Sequence, residues 1–340
     1  MHHLPTTAVS VCVMKDTFTI NISNDQIHLA SSLSNIVNNE HNEHSCSHTL
    51  TVIGQAVTPY LLKGVCEKLR DVFTPLSAAF HHLHQQMGDD VVEVRGNLVN
   101  ADLEEIKPLL SDVSKAFNLD VGLQASRPSL STPGLLVMDM DSTVIAIECI
   151  DEIAKLAGVG EQVAEVTAKA MRGEIAFNDS LTHRVACLEG VPINHLNQIR
   201  DSIPIMPGIQ VLLSHLKKHD WKLAIASGGF TFFADHLKER LGLDYAISNT
   251  LAVYDECLTG KVVGEIINAD VKARTVRELA EKWQIPSTQT VAMGDGANDL
   301  VMMAESALGV ACHGKPLVNE KADVAIRVGS LHSLLYFLDK

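Results

Sequence analysis

Leu135-Leu136-Val137-Met138-Asp139-Met140-Asp141-Ser142-Thr143 is the stretch from which the fold can be read. Its four leading apolar residues predict a buried parallel strand, and Asp139 to Thr143 the loop at its carboxyl end. Ligands bind at such strand ends in open α/β sheets. Two carboxylates one residue apart are costly there, because like charges at close range resist joint ionisation. A divalent cation relieves that cost and takes hard oxygen ligands of this kind. Taken alone, the pair could equally cap a strand end.

Onward from Gly134, apolar strands alternate with helices, with strands predicted over 135–138, 222–226, 245–248, 290–293, 308–311 and 324–327. Their near-continuous apolar character fits a parallel sheet covered on both faces. Between the first strand and the second the pattern is helical over 149–157, 161–171, 179–188 and 193–200. A right-handed crossover needs only one helix, so the excess reads as an inserted helical cap over about 148–202, a means of closing a site against water.

Upstream, residues 1–48 are rich in Ser, Asn and His and irregular, with short strands predicted over 9–13 and 18–22. A domain over 49–125 reads strand, helix, strand, helix, strand, at 50–53, 59–70, 91–99, 102–116 and 119–123. The stretch 73–86 reads as an extension of its first helix after a break at Pro75. That order suggests a small α+β domain. Residues 126–133 read as a linker, and 134–340 as the second domain.

The chain has 340 residues, 46% hydrophobic and 20% charged, which describes a globular protein. Its formal net charge of −14 argues against nucleic acid or an anionic membrane as the main partner. No apolar run is long enough to span a bilayer, and Met1-His2-His3-Leu4-Pro5 lacks the regions of a signal peptide. The seven cysteines are scattered without a CxxC pair and read as reduced thiols of a cytoplasmic protein.

Three more segments bear on the carboxylate pair. Ser227-Gly228-Gly229-Phe230 follows a strand and offers a hydroxyl and free N–H groups to a phosphate, although a glycine turn alone would look the same. Lys272 stands near the start of a helix, where a lone lysine is usually solvated. Gly294-Asp295-Gly296-Ala297-Asn298-Asp299 follows another strand and suits metal ligation.

In this order, DMDST, SGG, a downstream Lys and GDGAND resemble the motifs of the haloacid dehalogenase-like phosphohydrolases, from about Gly134 to the end. The resemblance implies a three-layer α/β/α Rossmann-like core and hydrolysis through an aspartyl-phosphate. It implies Asp139 as nucleophile and Asp141 as acid and base, with Ser227, Gly228 and Lys272 on the phosphoryl group. It further implies Mg²⁺ on Asp139, the Asp141 carbonyl and Asp295, with Asn298 and Asp299 orienting that shell. The inserted segment is similar to members acting on O-phosphoserine, through Glu148 to Ala154, Ala170 to Glu174 with Phe177, and Ser180-Leu181 leading to Arg184-Val185. By that likeness Glu148 accepts the substrate ammonium and Arg184 grips its carboxylate. Met171 and Phe177 wall off the substrate, and Asn298 also faces it. The rival expectations are another small phosphomonoester, phosphoryl transfer, or an amino-acid-sensing regulatory protein. For the last, the 49–125 domain resembles ACT-like modules, through which two copies could pair.

Other features carry no role here. His41, His44, Cys46 and His48 read as a polar linker, and His81, His82 and His84 as solvated histidines on one helix. Cys312-His313 needs no catalytic part, and Asp255-Glu256 reads as a hairpin turn.

Overall fold

The computed structural model describes residues 9–11, 19–23, 26–30, 46–99 and 102–340, the first three stretches by backbone alone. The chain divides into two compact units, Met1–Leu130 with His313–Lys340, and Ser131–Cys312.

In the first unit, strands β1 (Val9–Val11), β2 (Thr19–Ser23) and β3 (Gln26–Ala30) pair antiparallel in succession. A βαββαβ array follows, β4 (His48–Gly54), α1 (Pro59–Leu69), β5 (Phe73–Phe80), β6 (Asp90–Leu98), α2 (Leu103–Phe117) and β7 (Asp120–Gln124). The strand order β5-β6-β4-β7 is antiparallel throughout, so β4 and β5 run parallel with β6 between them, a split βαβ. Thr58 and Asp102 cap the two helices by accepting from the N–H groups of Leu61 and Glu105. Leu62, Val65 and Leu69 of α1 share one core with Ile106, Leu110 and Val113 of α2 and with Leu50, Val92 and Val121 of the sheet.

The predicted helical extension over 73–86 is instead the strand β5 followed by turns. Pro75 explains the error: it lacks the N–H a helix needs, and it sits at a register shift, where a strand tolerates proline. His81, His82 and His84 therefore lie beyond a strand end, not on a helix. Only His81 is buried, at 2% exposure, with His82 and His84 half-buried; the Nδ1 atoms of His81 and His84 accept from the N–H groups of Leu83 and Val91. Of the upstream cluster, His41 and His44 lie outside the described residues.

The second unit opens with β8 (Leu135–Met138), every residue buried. Four helices follow where a cap is expected, α3 (Cys149–Leu156), α4 (Gly160–Met171), α5 (Phe177–Ala186) and α6 (Ile193–Ser202). Alternation resumes with α7 (Ile209–Lys218), β9 (Lys222–Phe230), α8 (Thr231–Leu241), β10 (Tyr245–Tyr254), β11 (Cys257–Val263), α9 (Ala269–Lys282), β12 (Thr290–Gly294), α10 (Leu300–Ala304) and β13 (Leu308–Cys312). The strands lie in the order β11-β10-β9-β8-β12-β13, parallel except for the β10–β11 hairpin. Asp255 and Glu256 form that hairpin's turn, both at positive φ. Because β9 lies on one side of β8 and β12 on the other, the strand order reverses beside β8. That is where a crevice opens in such sheets.

The closing segment, with α11 (Pro316–Lys321), β14 (Val324–Ile326) and a 3-10 turn over Leu331–Phe337, groups with the first unit. There the Asp120 carboxylate accepts the N–H groups of Arg327, Val328 and Gly329 at 2.7, 3.0 and 2.8 Å. Among the described residues no helix is long and apolar enough to cross a membrane.

Candidate active site at the strand ends

Asp139 leaves β8 with its backbone N–H still bonded to the Met293 carbonyl of β12. Its side chain is thereby fixed at the reversal of strand order. The α9 helix supplies the facing cation. Asn268 caps that helix, accepting from the Val271 N–H, and the buried face that carries Val271, Val276 and Leu279 also carries Lys272. The Lys272 ammonium lies 2.9 Å from Asp139 Oδ1 and 2.8 Å from Asp299 Oδ1. Burial alone would depress its affinity for a proton. The Asp139 and Asp299 carboxylates outweigh burial and hold it above the ordinary lysine value.

Asp299, wholly buried, also accepts from Gly296 N–H at 3.0 Å. Burial and the Asp139 charge push its carboxyl up to about 6, against the pull of Lys272. Gly294 is what lets this carboxylate approach: a Cβ there would stand 2.3 Å from Asp299 Oδ2. Asn298 lies beside it, with Nδ2 3.4 Å from Asp299 Oδ1.

Asp141 occupies a different environment two residues from Asp139. Burial first and the Glu148 carboxylate second push it up to about 8. Its Oδ1 accepts from Cys149 N–H at 3.3 Å, while Oδ2 faces the glycine pair at the end of β9. A Cβ on Gly229 would come within 2.7 Å of that oxygen, so the second glycine makes room for it. Its surroundings thus raise the Asp141 carboxyl toward the proton affinity that a general acid needs. At the same end of β9 the buried Ser227 Oγ accepts from Gly229 N–H at 3.0 Å, which leaves its hydroxyl hydrogen free to donate.

Carboxylate oxygens of Asp139, Asp295 and Asp299 all lie within 4.8 Å of one another. Three hard anionic oxygens at that spacing suit a hard divalent cation. Asp295 is also 3.4 Å from Thr143 Oγ1.

The cap residues stand differently. Glu148, at the start of α3, accepts from Ser142 Oγ at 2.8 Å instead of capping its helix. Arg184 of α5 is half-buried, and its Nε is buried without a partner. Burial lowers its proton affinity, opposed by the charges of Asp151, Glu148 and Asp141. The Phe177 ring approaches the glycine pair of β9, with Cζ 3.1 Å from where a Cβ on Gly228 would stand. Met171, at the end of α4, is 73% exposed.

One residue escaped the sequence analysis. Asn249 of β10 is fully buried; its Nδ2 donates to the Gly228 carbonyl at 2.8 Å, and its Oδ1 accepts from Ile267 N–H at 2.9 Å. It ties the end of β9 to the chain entering α9, and so holds Ser227 and Lys272 in one frame. An asparagine inside an otherwise strand-like run was the available signal.

A family model described as haloacid dehalogenase-like hydrolase matches residues 134–306. The chain is 52% identical over 226 residues to a phosphoserine phosphatase of Vibrio cholerae serotype O1, covering 66% of this chain and 69% of that protein. It is similar to the crystal structure of a probable phosphoserine phosphatase from Vibrio cholerae in unliganded form, with TM-score 0.69 and 43% identity over 85% of this chain and 86% of that one. A structure described as a phospho-aspartyl intermediate analogue of phosphoserine phosphatase aligns with TM-score 0.58 and 38% identity, over 61% of this chain and 100% of that one.

Proposed function

The chain belongs to the haloacid dehalogenase-like hydrolases, and we propose that it acts as a phosphoserine phosphatase, converting O-phospho-L-serine and water to L-serine and phosphate, the last step of serine synthesis. The observation that carries this reading is Lys272, held at 2.9 Å from Asp139 and 2.8 Å from Asp299 at the strand ends. Such a fixed ammonium serves a site where negative charge must be matched as it moves.

In the first step an Asp139 oxygen attacks phosphorus while the bond from phosphorus to the serine oxygen breaks. Asp141, pushed up to about 8, holds a proton at neutral pH and delivers it to the departing serine oxygen. In the second step Asp141 takes a proton from water, whose oxygen attacks phosphorus and frees the Asp139 carboxylate and phosphate. Ser227, the Gly228 N–H and Lys272 bind the phosphoryl oxygens through both steps. Asp139, Asp295 and the Asp141 carbonyl would hold Mg²⁺, oriented by Asn298 and Asp299. Bound there, Mg²⁺ supplies positive charge against the phosphoryl oxygens.

Glu148 receives the substrate ammonium. The unpartnered Arg184 Nε supports a guanidinium waiting for the substrate carboxylate. Phe177 and Met171 of the cap exclude water when the substrate is bound. The split-βαβ array of the first unit supports reading it as an ACT-like module. The cysteines among the described residues are free thiols, which fits the cytoplasm.

The test is phosphate release from O-phospho-L-serine, with and without Mg²⁺, comparing wild type with Asp139→Asn. Magnesium-dependent release by the wild type alone is expected. Release by Asp139→Asn at the wild-type rate would overturn the proposal.

A further inference from the structure

The first unit holds a cavity of about 260 Å³, smaller than the pockets that usually take drug-sized ligands. Ser111 and Lys115 of α2 line it on one side, and His313, Gly314, Asn319 and Arg327 of the closing segment on the other. Its lining carries positive charge on a chain whose net charge is −14.

Arg327 is the centre of interest. It is half-buried, and among the described residues it forms no ion pair. One Nη donates to the Asn319 carbonyl at 2.9 Å, while Nε is buried without a partner. The Asp120 carboxylate attracts it without forming an ion pair, its oxygens being bonded to the three backbone N–H groups that begin with Arg327's own. Burial disfavours its charge, against the pull of Asp120 and Glu320. Two more of the lining residues carry an unmet polar atom: Ser111 Oγ, on a residue 2% exposed, and Asn319 Oδ1. Lys115 is exposed.

A partly desolvated guanidinium that no carboxylate pairs with directly is costly, and so is each buried polar atom without a bond. Native interiors leave few such atoms, so three of them around one cation-lined cavity need a cause. A bound anion supplies one. We propose that this cavity binds a small oxyanion, a phosphate or a carboxylate, gripped by Arg327 and Lys115, with the Ser111 hydroxyl as a further donor. The unmet Asn319 oxygen selects for ligands that also carry an N–H or O–H group. The site is independent of the reaction proposed at the strand ends. A ligand here bonds α2 to the closing segment and stabilises the first unit by mass action.

The test is a titration of the full-length, ¹⁵N-labelled chain with inorganic phosphate and, separately, with malate, a dicarboxylate that carries a hydroxyl, following the backbone amides of Ser111, Lys115, Gly314 and Asn319. Saturable shifts at these amides are expected with at least one anion, at a Kd in the millimolar range. A response to phosphate alone identifies a phosphoryl ligand, and a response to malate a carboxylate. Amides of Ser227 and Gly228 report phosphate at the strand ends separately. Arg327→Gln should weaken binding about tenfold or more, the loss expected for a charge-assisted hydrogen bond. Lys115→Gln, on an exposed side chain that leaves the core untouched, should weaken it severalfold even if Arg327→Gln does not fold. No saturable shift with either anion, or unchanged affinity in Lys115→Gln and in any folded Arg327→Gln, overturns the proposal.

Discussion

At the strand ends Lys272 and Asp299 are almost wholly buried and bonded at 2.8 Å, with Asp139 2.9 Å from the same ammonium. On the cap, Met171 is exposed, Phe177 is 36% exposed and Arg184 keeps an unpartnered Nε. The groups assigned to chemistry already hold one another in place, whereas Arg184, assigned to recognition, keeps a buried donor unmatched. That difference matches the two tasks. Stabilising a moving charge requires donors that need no rearrangement at the moment of reaction. Selecting a substrate can use groups whose partners arrive with it, so that binding itself favours closure.

Removing the central cation breaks the buried side of this contrast most severely. Lys272→Ala should lower kcat about 10²–10³-fold, as for loss of other preorganised donors. It should also lower Tm, since Asp139 and Asp299 would face each other unpaired, at a cost on the order of 3 kcal/mol. Steady-state kinetics and thermal melting check the two effects, and near-wild-type turnover would contradict the assignment.

On the open side, Arg184→Ala should reduce kcat/KM for O-phospho-L-serine about tenfold or more. An aryl phosphate without an amino-acid moiety should lose far less, and equal losses on both substrates would remove Arg184 from recognition. Asn249 bears on the rigid frame without touching substrate. Asn249→Ala leaves the Gly228 carbonyl and Ile267 N–H unmatched, at about 1–3 kcal/mol each. Both Tm and kcat should fall, with kcat losing less than in Lys272→Ala.

The smallest expected effect joins the two regions, because Glu148 on the cap helps raise Asp141 on the floor. As the acid of the first step, Asp141 must carry its proton, so kcat/KM should fall as pH rises through about 8. Glu148→Gln removes a negative neighbour, which lowers the Asp141 pKa and moves that alkaline limb to lower pH. An unmoved limb in a pH–rate profile would separate the two residues.

Much of this architecture was legible because chemistry and local pattern coincide at the strand ends. Leu135–Met138 reads as a buried strand from its side chains alone, and the carboxylate loops follow such strands directly. The cap helices emerged from apolar spacing close to their observed bounds. Pro75 misled because proline breaks a helix and marks a strand irregularity alike, and only the pairing of β5 with β6 decides between them. The histidines after β5 depended on that same pairing. Asn249 was hidden for another reason: its two bonds reach Gly228 and Ile267, positions that only the folded chain brings together.

The central claim is that an Asp139 oxygen becomes bonded to phosphorus during turnover. Rapid quenching of enzyme turning over O-phospho-L-serine with Mg²⁺, followed by borohydride reduction, converts an aspartyl-phosphate to homoserine that peptide mass spectrometry can locate. Homoserine at position 139, absent without substrate, is the predicted result. Continued phosphate release with aspartate intact at 139, or with the modification at another carboxylate, would contradict the account.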